Sequence, residues 1–304
     1  MNKAHGSAWQ DFWADNVDSC AGGCLPQQWH GIVTAQIGCW QRLAKHLPRK
    51  ARILDIATGD GRVMDWVMRA RRDIKPVGCD LAEILPKPPA GAKVRTGVAM
   101  ENLPFHDASF AAVTSQFGFE YGDTLKAACE ISRVLQPDGI IGLMTHRQDG
   151  AILAHNLRRR EQIRWVLEEL QLIETAKRHL SLRASGIVAS LPQRISQAPA
   201  EGAARFGHGS AAWEIPEAIR QTLLLGQRDH PATVSAMLDT ISEKARNELG
   251  RIASLEAACA TTSNERGFLA AIGEAGLEQV AIETVCELVD KKPFADFRTL
   301  HRAR

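Results

Sequence analysis

The chain has 304 residues, of which 45% are hydrophobic and 24% are charged, and its formal net charge is +2. This composition is ordinary for a soluble globular protein, and it lacks the basic excess that nucleic-acid binding would require. The start of the chain lacks the basic and then apolar segments of a signal peptide. No apolar run approaches the roughly 20 residues of a membrane span. We therefore expect a globular protein with no nucleic-acid partner and no membrane span.

The seven cysteines are an odd number, and only Cys20 and Cys24 lie close together in the sequence. Neither a second cysteine pair nor a closely spaced histidine pair accompanies them to complete a zinc site. We therefore expect reduced thiols, a cytoplasmic location and no metal site.

Aromatic residues are concentrated in residues 1–50, which contain four tryptophans: Trp9, Trp13, Trp29 and Trp40. One helical stripe runs through this segment and predicts an amphipathic helix: Ile32, Gln36, Trp40, Leu43 and Leu47. Pro48 ends that helix. We expect residues 1–50 to form a helical cover over the cleft of the domain that follows, although plain core packing would use the same residues.

The stretch from Arg52 to Arg62 predicts a buried strand, a glycine turn and the start of an amphipathic helix. Gly59 and Gly61 tolerate positive φ and let a ligand approach the backbone closely. The N-terminus of the helix can bind an anionic group, while Asp55 either fixes the loop or accepts from a ligand ammonium. In open α/β sheets nucleotide-like ligands bind at this loop. An ordinary strand, turn and helix without a ligand would show the same pattern.

Strands and helices alternate over residues 51–146. A second strand over 76–80 ends in Asp80, whose carboxylate is placed to accept both ribose hydroxyls of an adenosine group. Further segments follow in order: a weak strand at 94–100, a strand at 111–116, a helix at 123–135 and a strand at 139–146. This alternation predicts an α/β fold with a doubly wound, mostly parallel sheet.

Over residues 151–262 the alternation of strand and helix gives way to a helical pattern of apolar residues. A linker at 185–215 divides this segment, and its composition predicts loop with short helical pieces. Thr262-Ser-Asn-Glu265 has the pattern of a capping box that starts a new helix. Two final strands are predicted at 277–289 and 294–301. We therefore expect an α/β domain of residues 51–150 and 263–304, interrupted by a helical insertion of 151–262. We expect this insertion to act either as a lid that binds the methyl acceptor or as the surface through which a homodimer forms.

In family order, four segments resemble class I S-adenosylmethionine (SAM)-dependent methyltransferases, close to the small-molecule branch with the ubiquinone/menaquinone-type enzymes. They are Ile53-Leu-Asp-Ile-Ala-Thr-Gly-Asp-Gly61, Gly78-Cys-Asp80, Met100-Glu-Asn-Leu-Pro-Phe-His-Asp-Ala-Ser-Phe110 and Glu130-Ile-Ser-Arg-Val-Leu-Gln-Pro-Asp-Gly139. The resemblance covers about 50–146, with a return at 263–304. It implies a seven-stranded Rossmann-like sheet, SAM as cofactor and methyl transfer to a small-molecule acceptor.

The resemblance also implies which residues hold the cofactor. They are Asp55, Ala57, Thr58, Gly59 and Gly61 at the methionine moiety, Asp80 at the ribose, Leu81, Met100 and Glu101 at the adenine, and Gln116 near the methionine amino group. The chain departs from the family at Ala57, where glycine is usual, and at Ala99, where an acid often contacts the adenine amino group.

Methyl transfer from a sulfonium is an in-line displacement, so alignment supplies much of the rate, roughly 7–11 kcal/mol for well-oriented reactants. The cation can lie against aromatic faces, and the candidates are Phe117, Phe119 and Tyr121. If the acceptor requires a base, the candidate catalytic residues are Glu120, Tyr121 and His146, which follow strands at the edge of the sheet facing the cleft.

Two other functions fit parts of the sequence. One is a non-catalytic protein with the same fold that binds a partner through its helical block. The other is a nicotinamide-dependent oxidoreductase, which shares the strand, glycine turn and ribose acid. The oxidoreductase would require a third glycine where this chain has Met64.

Overall fold

The computed structural model of the chain describes residues 3–18, 30–187 and 190–303. The chain forms two compact units, one of Met1–Ala154 with Ala253–Arg304 and one of His155–Ile252. Cys20, Cys24 and Trp29 lie outside the described residues.

The first unit is built on a seven-stranded sheet. Its strands are β1 (Arg52–Ile56), β2 (Lys75–Cys79), β3 (Lys93–Arg95), β4 (Phe110–Gln116), β5 (Leu135–His146), β6 (Leu277–Cys286) and β7 (Pro293–Arg302). Their order is β3-β2-β1-β4-β5-β7-β6. The first five strands are parallel, and β7 runs antiparallel to both of its neighbours. The predicted doubly wound, mostly parallel sheet is confirmed.

Ten helices occur in the described part of the chain. They are α1 (Lys3–Asp15), α2 (His30–Lys45), α3 (Arg62–Ala70), α4 (Thr124–Val134), α5 (Ala151–Arg164), α6 (Leu172–Ala184), α7 (Gln193–Phe206), α8 (Ala211–Leu225), α9 (Pro231–Ser263) and α10 (Glu265–Glu274). In the first unit α4 packs with α10 on one face of the sheet, and α2 packs with α3 on the other. None of the described helices is long and apolar enough to cross a membrane.

The predicted stripe of α2 is buried in full, from Ile32 to Leu47, although the helix itself ends at Lys45. Trp40 is inaccessible to solvent and packs edge-on against Phe297, with 5.0 Å between the ring centroids. Gly142 of β5 makes room for this ring, because a Cβ there would lie 3.1 Å from Trp40 Cζ3. Burial of a large aromatic side chain therefore fixes α2 over β5.

The second unit has its own apolar core of helical residues, which includes Trp165, Leu172, Ile195, Ile219 and Leu238. The prediction of loop with short helical pieces over 185–215 is wrong in its proportions, because most of that segment forms the 14-residue helix α7 and the start of α8. The small residues there serve close helix packing: a Cβ added at Gly202 would lie 1.8 Å from the carbonyl oxygen of Ala212. Glycine and alanine suit such a contact as well as they suit a loop.

Several predicted boundaries also differ. The cap of α10 is Asn264, whose side chain accepts from the backbone N–H of Gly267. Thr262 was expected to cap that helix, but its hydroxyl donates to the carbonyl oxygen of His146 at 2.7 Å. The third strand spans only Lys93–Arg95, and β5 begins before Pro137, at Leu135. The antiparallel strand β6 ends at Cys286, short of the predicted residue 289.

Candidate active site

The glycine turn follows β1 and is built from alternating left-handed residues. Ala57, Gly59 and Gly61 have φ values of 51°, 52° and 74°. The N–H of Thr58 donates to the carbonyl oxygen of Cys79 at 3.0 Å, which ties the turn to the end of β2. Gly61 is the N-cap residue of α3. The turn therefore leads directly into a helix N-terminus, where backbone N–H groups can bind an anion.

Ala57 adopts a conformation that L residues rarely take, and a second glycine makes room for its methyl group. A Cβ added at Gly118 would lie 2.4 Å from the Cβ of Ala57. Gly118 follows β4, so the space for the Ala57 side chain comes from a residue distant in sequence. The motif comparison identified the departure at Ala57 but gave no sign of this compensation.

Asp55 is buried and has both carboxylate oxygens engaged within the protein. The hydroxyl of Thr58 donates to Oδ2 at 2.6 Å, and that of Thr114 donates to Oδ1 at 2.7 Å. Burial raises the pKa of this carboxyl to about 7, against the lowering effect of the two hydroxyl donors. In this structure Asp55 therefore fixes the loop, which is one of its two predicted roles. Thr114 was missed by the sequence analysis, because its partner lies on another strand.

Asp80 connects the end of β2 to the glycine turn. Its Oδ2 accepts from the N–H of Gly59, and its Oδ1 accepts from the N–H of Ala82, each at 2.9 Å. Leu81, next to it, leaves 47% of its surface exposed. A carboxylate beside an exposed apolar side chain is a suitable surface for a ribose and a flat ring.

The other predicted cofactor residues already have partners within the protein. Glu101 Oε1 accepts from the backbone N–H of Asp123 at 3.0 Å, near the N-terminus of α4. Met100, beside it, is half-buried against the core. Gln116 Oε1 accepts from Trp40 Nε1 at 2.7 Å. Glu101 and Gln116 therefore help to hold the site together, whatever they contact in a ligand.

Aromatic side chains of α1 lie against the glycine turn and the end of β4. A Cβ added at Gly59 would lie 2.4 Å from Trp13 Cζ2, so this close approach requires glycine. The rings of Trp9 and Tyr121 meet edge-to-face with 5.8 Å between their centroids. Tyr121 in turn faces His146, with 5.9 Å between the ring centroids.

Glu120 and His146 lie together at the end of β5, and both are buried. Glu120 Oε1 accepts from the backbone N–H of His146 at 2.8 Å. The imidazole of His146 stacks on Phe117 with 4.0 Å between centroids and 8° between planes. Among the described residues, no hydrogen-bond partner exists for Glu120 Oε2 or His146 Nδ1.

The burial of these two groups sets their proton affinities. Burial raises the pKa of Glu120 to about 7 and lowers the pKa of His146 to about 3. His146 is therefore uncharged at neutral pH and a weak base. Glu120 titrates where a general base at neutral pH is most effective, so of the predicted catalytic residues it has the best-matched acidity.

A family described as "Methyltransferase domain" matches residues 54–143, which span β1 to β5. The order of the seven strands, with β7 inserted antiparallel, is that of the same fold. Residues 54–143 belong to the class I SAM-dependent methyltransferases.

Two curated relatives resemble part of this chain, and both are named as demethylmenaquinone methyltransferases. That of Deinococcus radiodurans is 36% identical over 119 residues, which are 34% of this chain and 48% of the relative. That of Thermotoga maritima is 36% identical over 93 residues, 29% of this chain and 40% of the relative. The chain thus spans less than half the length of the curated relatives it matches. Among solved structures, a Haloferax volcanii methyltransferase in complex with the Trm112 activator aligns over 100% of this chain and 99% of its own, with 12% identity and a TM-score of 0.44.

Met64 separates the methyltransferase domain from the nicotinamide-binding alternative. It is inaccessible to solvent, and a Cβ added at Gly78 would lie 2.9 Å from its Cε. In nicotinamide-binding sites a third glycine at this position lets the helix pack closely on the strand. Here the long side chain of Met64 fills the space between α3 and β2. Among the described residues there is also no group of His, Cys, Asp or Glu that could hold a metal ion, and the described cysteines are free.

Proposed function

We propose that the chain is a SAM-dependent methyltransferase that acts on a small-molecule acceptor. The observation that carries the proposal is the left-handed turn after β1, held by Asp80, in the same unit as Glu120, whose Oε2 has no partner among the described residues. The two relatives, which are named as demethylmenaquinone methyltransferases, support a small-molecule acceptor as a class. Their matches cover 34% and 29% of this chain.

The residues of the turn fit the cofactor at both ends. The α3 N-terminus and the backbone of Gly59 and Gly61 would hold the methionine carboxylate, because free N–H groups favour an anion. Asp80 would accept from the ribose hydroxyls through the lone pairs that Gly59 and Ala82 leave unused. Leu81 would pack on the adenine. Ala99 offers no acceptor for the adenine amino group, so that contact would fall to the backbone near Met100.

When bound, SAM supplies an electrophilic methyl group on a sulfonium. The protein's part is to align the acceptor with that methyl group and to exclude water. Phe117 and Tyr121 would place aromatic faces near the positive sulfur, a contribution of roughly 0.5–2 kcal/mol. Glu120 would accept the acceptor's proton at Oε2, the oxygen that has no partner in the protein.

The helical unit of His155–Ile252 is proposed as the part that confers acceptor specificity, because insertions in enzymes of this kind often act as lids. A homodimer surface is the other role for the same helices. Sedimentation of the purified chain separates the two: a lid predicts a monomer, and a homodimer surface predicts twice its mass.

Calorimetric titration with SAM and with its demethylated product, S-adenosylhomocysteine, tests the proposal. We expect both to bind the wild type and neither to bind Gly59→Val, in which the new side chain would meet Trp13. Gly276→Val is the matched control: its φ of +71° is also left-handed, but no atom lies within 4 Å of an added Cβ. It should bind SAM normally.

Turnover separates the catalytic proposal from a binding protein with this fold. With radiolabelled SAM and a panel of small phenols, enols and amines, we expect label to move to at least one acceptor. Absence of binding by the wild type contradicts the cofactor assignment. Tight binding without label transfer to any acceptor would favour the non-catalytic alternative.

A further inference from the structure

Gln36 is a buried polar residue that has no use within the fold. It lies in α2, is inaccessible to solvent, and neither its Nε2 nor its Oε1 has a hydrogen-bond partner in the part of the chain that the structure describes. A buried amide that pairs with nothing costs stability, and such groups in folded proteins usually have a functional reason. A hydrophobic residue would fill the same position of the α2 stripe more favourably.

The position of Gln36 follows from its neighbours in α2. Trp40, one turn later, donates to Gln116 of β4 and packs on Phe297 of β7. Both of these residues pair with Met144 of β5, so Trp40 lies over β5 at the level of Met144.

Gly31, near the start of α2, lies against Glu287, which follows Val285 of β6, a residue level with His146 across β7. Leu43, near the end of α2, lies against Gly142, so α2 runs opposite to β5. Gln36 therefore lies about 6 Å beyond Trp40 toward the end of the strand, from the helical rise of about 1.5 Å per residue. His146 lies about 7 Å beyond Met144 on the same strand and on the same face, from the strand rise of about 3.3 Å per residue. This brings Gln36 and His146 to the same level on the same side of the sheet.

The amide of Gln36 is thereby placed at the carboxyl end of β5, where Nδ1 of His146 and Oε2 of Glu120 also have no partner among the described residues. The stacked ring of Phe117 and the ring of Tyr121 adjoin them. At neutral pH the imidazole is uncharged, because burial lowers the pKa of His146. Arg298, whose charge acts on Glu120, is paired with Glu265 at 2.8 and 2.9 Å.

The position of Gln36 relative to the glycine turn favours the methyl acceptor over the cofactor as its ligand. The glycine turn follows β1, and β4 lies between β1 and β5. Two strand spacings, about 10 Å, therefore separate the turn from β5. A group bound at the turn leaves the region beyond β5 to the molecule that receives the methyl group.

We propose that Gln36 orients the molecule that receives the methyl group. That molecule is a neutral planar ring on which a hydrogen-bond donor lies beside a hydrogen-bond acceptor, as in a lactam or a hydroxy-carbonyl. A primary amide matches such a pair with two parallel hydrogen bonds, one given and one received. Aromatic walls fit a planar ring, and the uncharged amide of Gln36 and imidazole of His146 fit a neutral one. This inference rests on the proposed methyltransferase function and adds the class of its acceptor.

The test uses the full chain saturated with S-adenosylhomocysteine and calorimetric titration of two probes. 2-Quinolone carries an adjacent N–H and carbonyl, and 1-methyl-2-quinolone has the same ring with the donor removed. We expect the wild type to prefer 2-quinolone by about tenfold, the worth of roughly one good hydrogen bond. Gln36→Leu should reduce the preference to about one, while Gln41→Leu, on the same helix, should leave it unchanged.

The outcomes separate the parts of the proposal. An equal preference in the wild type and Gln36→Leu, or no binding of 2-quinolone to the wild type, overturns it. So does a loss of S-adenosylhomocysteine affinity in Gln36→Leu, which would assign Gln36 to the cofactor. If Gln36→Leu does not fold, Gln36→Met provides the same comparison. If the wild type does not bind S-adenosylhomocysteine at all, the proposed methyltransferase function, on which this inference rests, is refuted instead.

Discussion

Substitution of Gly118 by alanine should destabilise the protein, mainly through contact of the new Cβ with the methyl group of Ala57. The new Cβ would lie 2.4 Å from the Ala57 Cβ, 3.0 Å from Ser115 Oγ and 3.6 Å from the carbonyl oxygen of Ile56. Carbon atoms normally approach to 3.5–4.0 Å, so one of the two chain segments must move by about 1 Å. Overpacking of this kind costs about 1–3 kcal/mol of unfolding free energy.

Replacement of Ala57 by glycine should remove most of that cost. By itself this change stabilises the folded state by about 1–2 kcal/mol, because it relieves left-handed strain at residue 57. It also destabilises the folded state by about 0.4–1 kcal/mol, because glycine gives the unfolded chain more conformational freedom. Its own effect is therefore between neutral and about 1.5 kcal/mol stabilising. In the double variant the clashing methyl group is absent, so we expect a coupling energy of at least about 1 kcal/mol.

Urea unfolding of the wild type, both single variants and the double variant measures that coupling. Circular dichroism follows the helices, and the same four proteins are titrated with SAM to test whether the turn keeps its shape. If the two single effects add to within about 0.5 kcal/mol, the contact between Ala57 and Gly118 does not carry the cost, and our reading of the turn is wrong.

Further predictions concern charge and hydrogen bonding at the site. Because burial raises the pKa of Glu120 from its ordinary 4.5 to about 7, its contribution to stability is full below pH 4.5 and is lost as the pH rises through 7. The wild type should therefore lose about 3 kcal/mol of unfolding free energy as the pH rises, and Glu120→Gln should not. Urea midpoints measured between about pH 5 and pH 8 would show this difference. An equal dependence of the midpoint on pH in both proteins would contradict the prediction. Thr114→Val removes a donor to Asp55 and should destabilise the fold by about 1–3 kcal/mol, with thermal unfolding as the measurement. Ala99→Asp places an acceptor where the family often has one and should tighten SAM binding about threefold to tenfold by calorimetry; unchanged affinity would place the adenine elsewhere.

The sequence predicted those features that depend on neighbouring residues. The strand, turn and helix from β1 to α3 follow from local pattern, and the α2 stripe follows from helical periodicity. Features that require partners far apart in the chain could not be predicted in the same way. Thr114 of β4 bonds to Asp55 on the neighbouring strand β1, and the space for Ala57 comes from Gly118.

Composition misled the prediction where one residue type serves two purposes. The small and polar residues of 185–215 predicted loop with short helical pieces, but the glycine and alanine among them allow α7 and α8 to pack closely. Gln36 presented a similar ambiguity, since a polar residue within an apolar stripe predicts helix without indicating whether its amide finds a partner. Only the positions of the surrounding side chains, set by the whole sheet, show that it does not.

The contact between Trp13 and Gly59 gives the protein an intrinsic optical sensor. An indole emits according to the polarity around it, and this one lies against the backbone that a cofactor would approach. Loading and emptying of the turn would therefore change its emission, and subtracting the spectrum of Trp13→Phe would isolate that signal from the other tryptophans. Occupancy could then be followed in real time without a label.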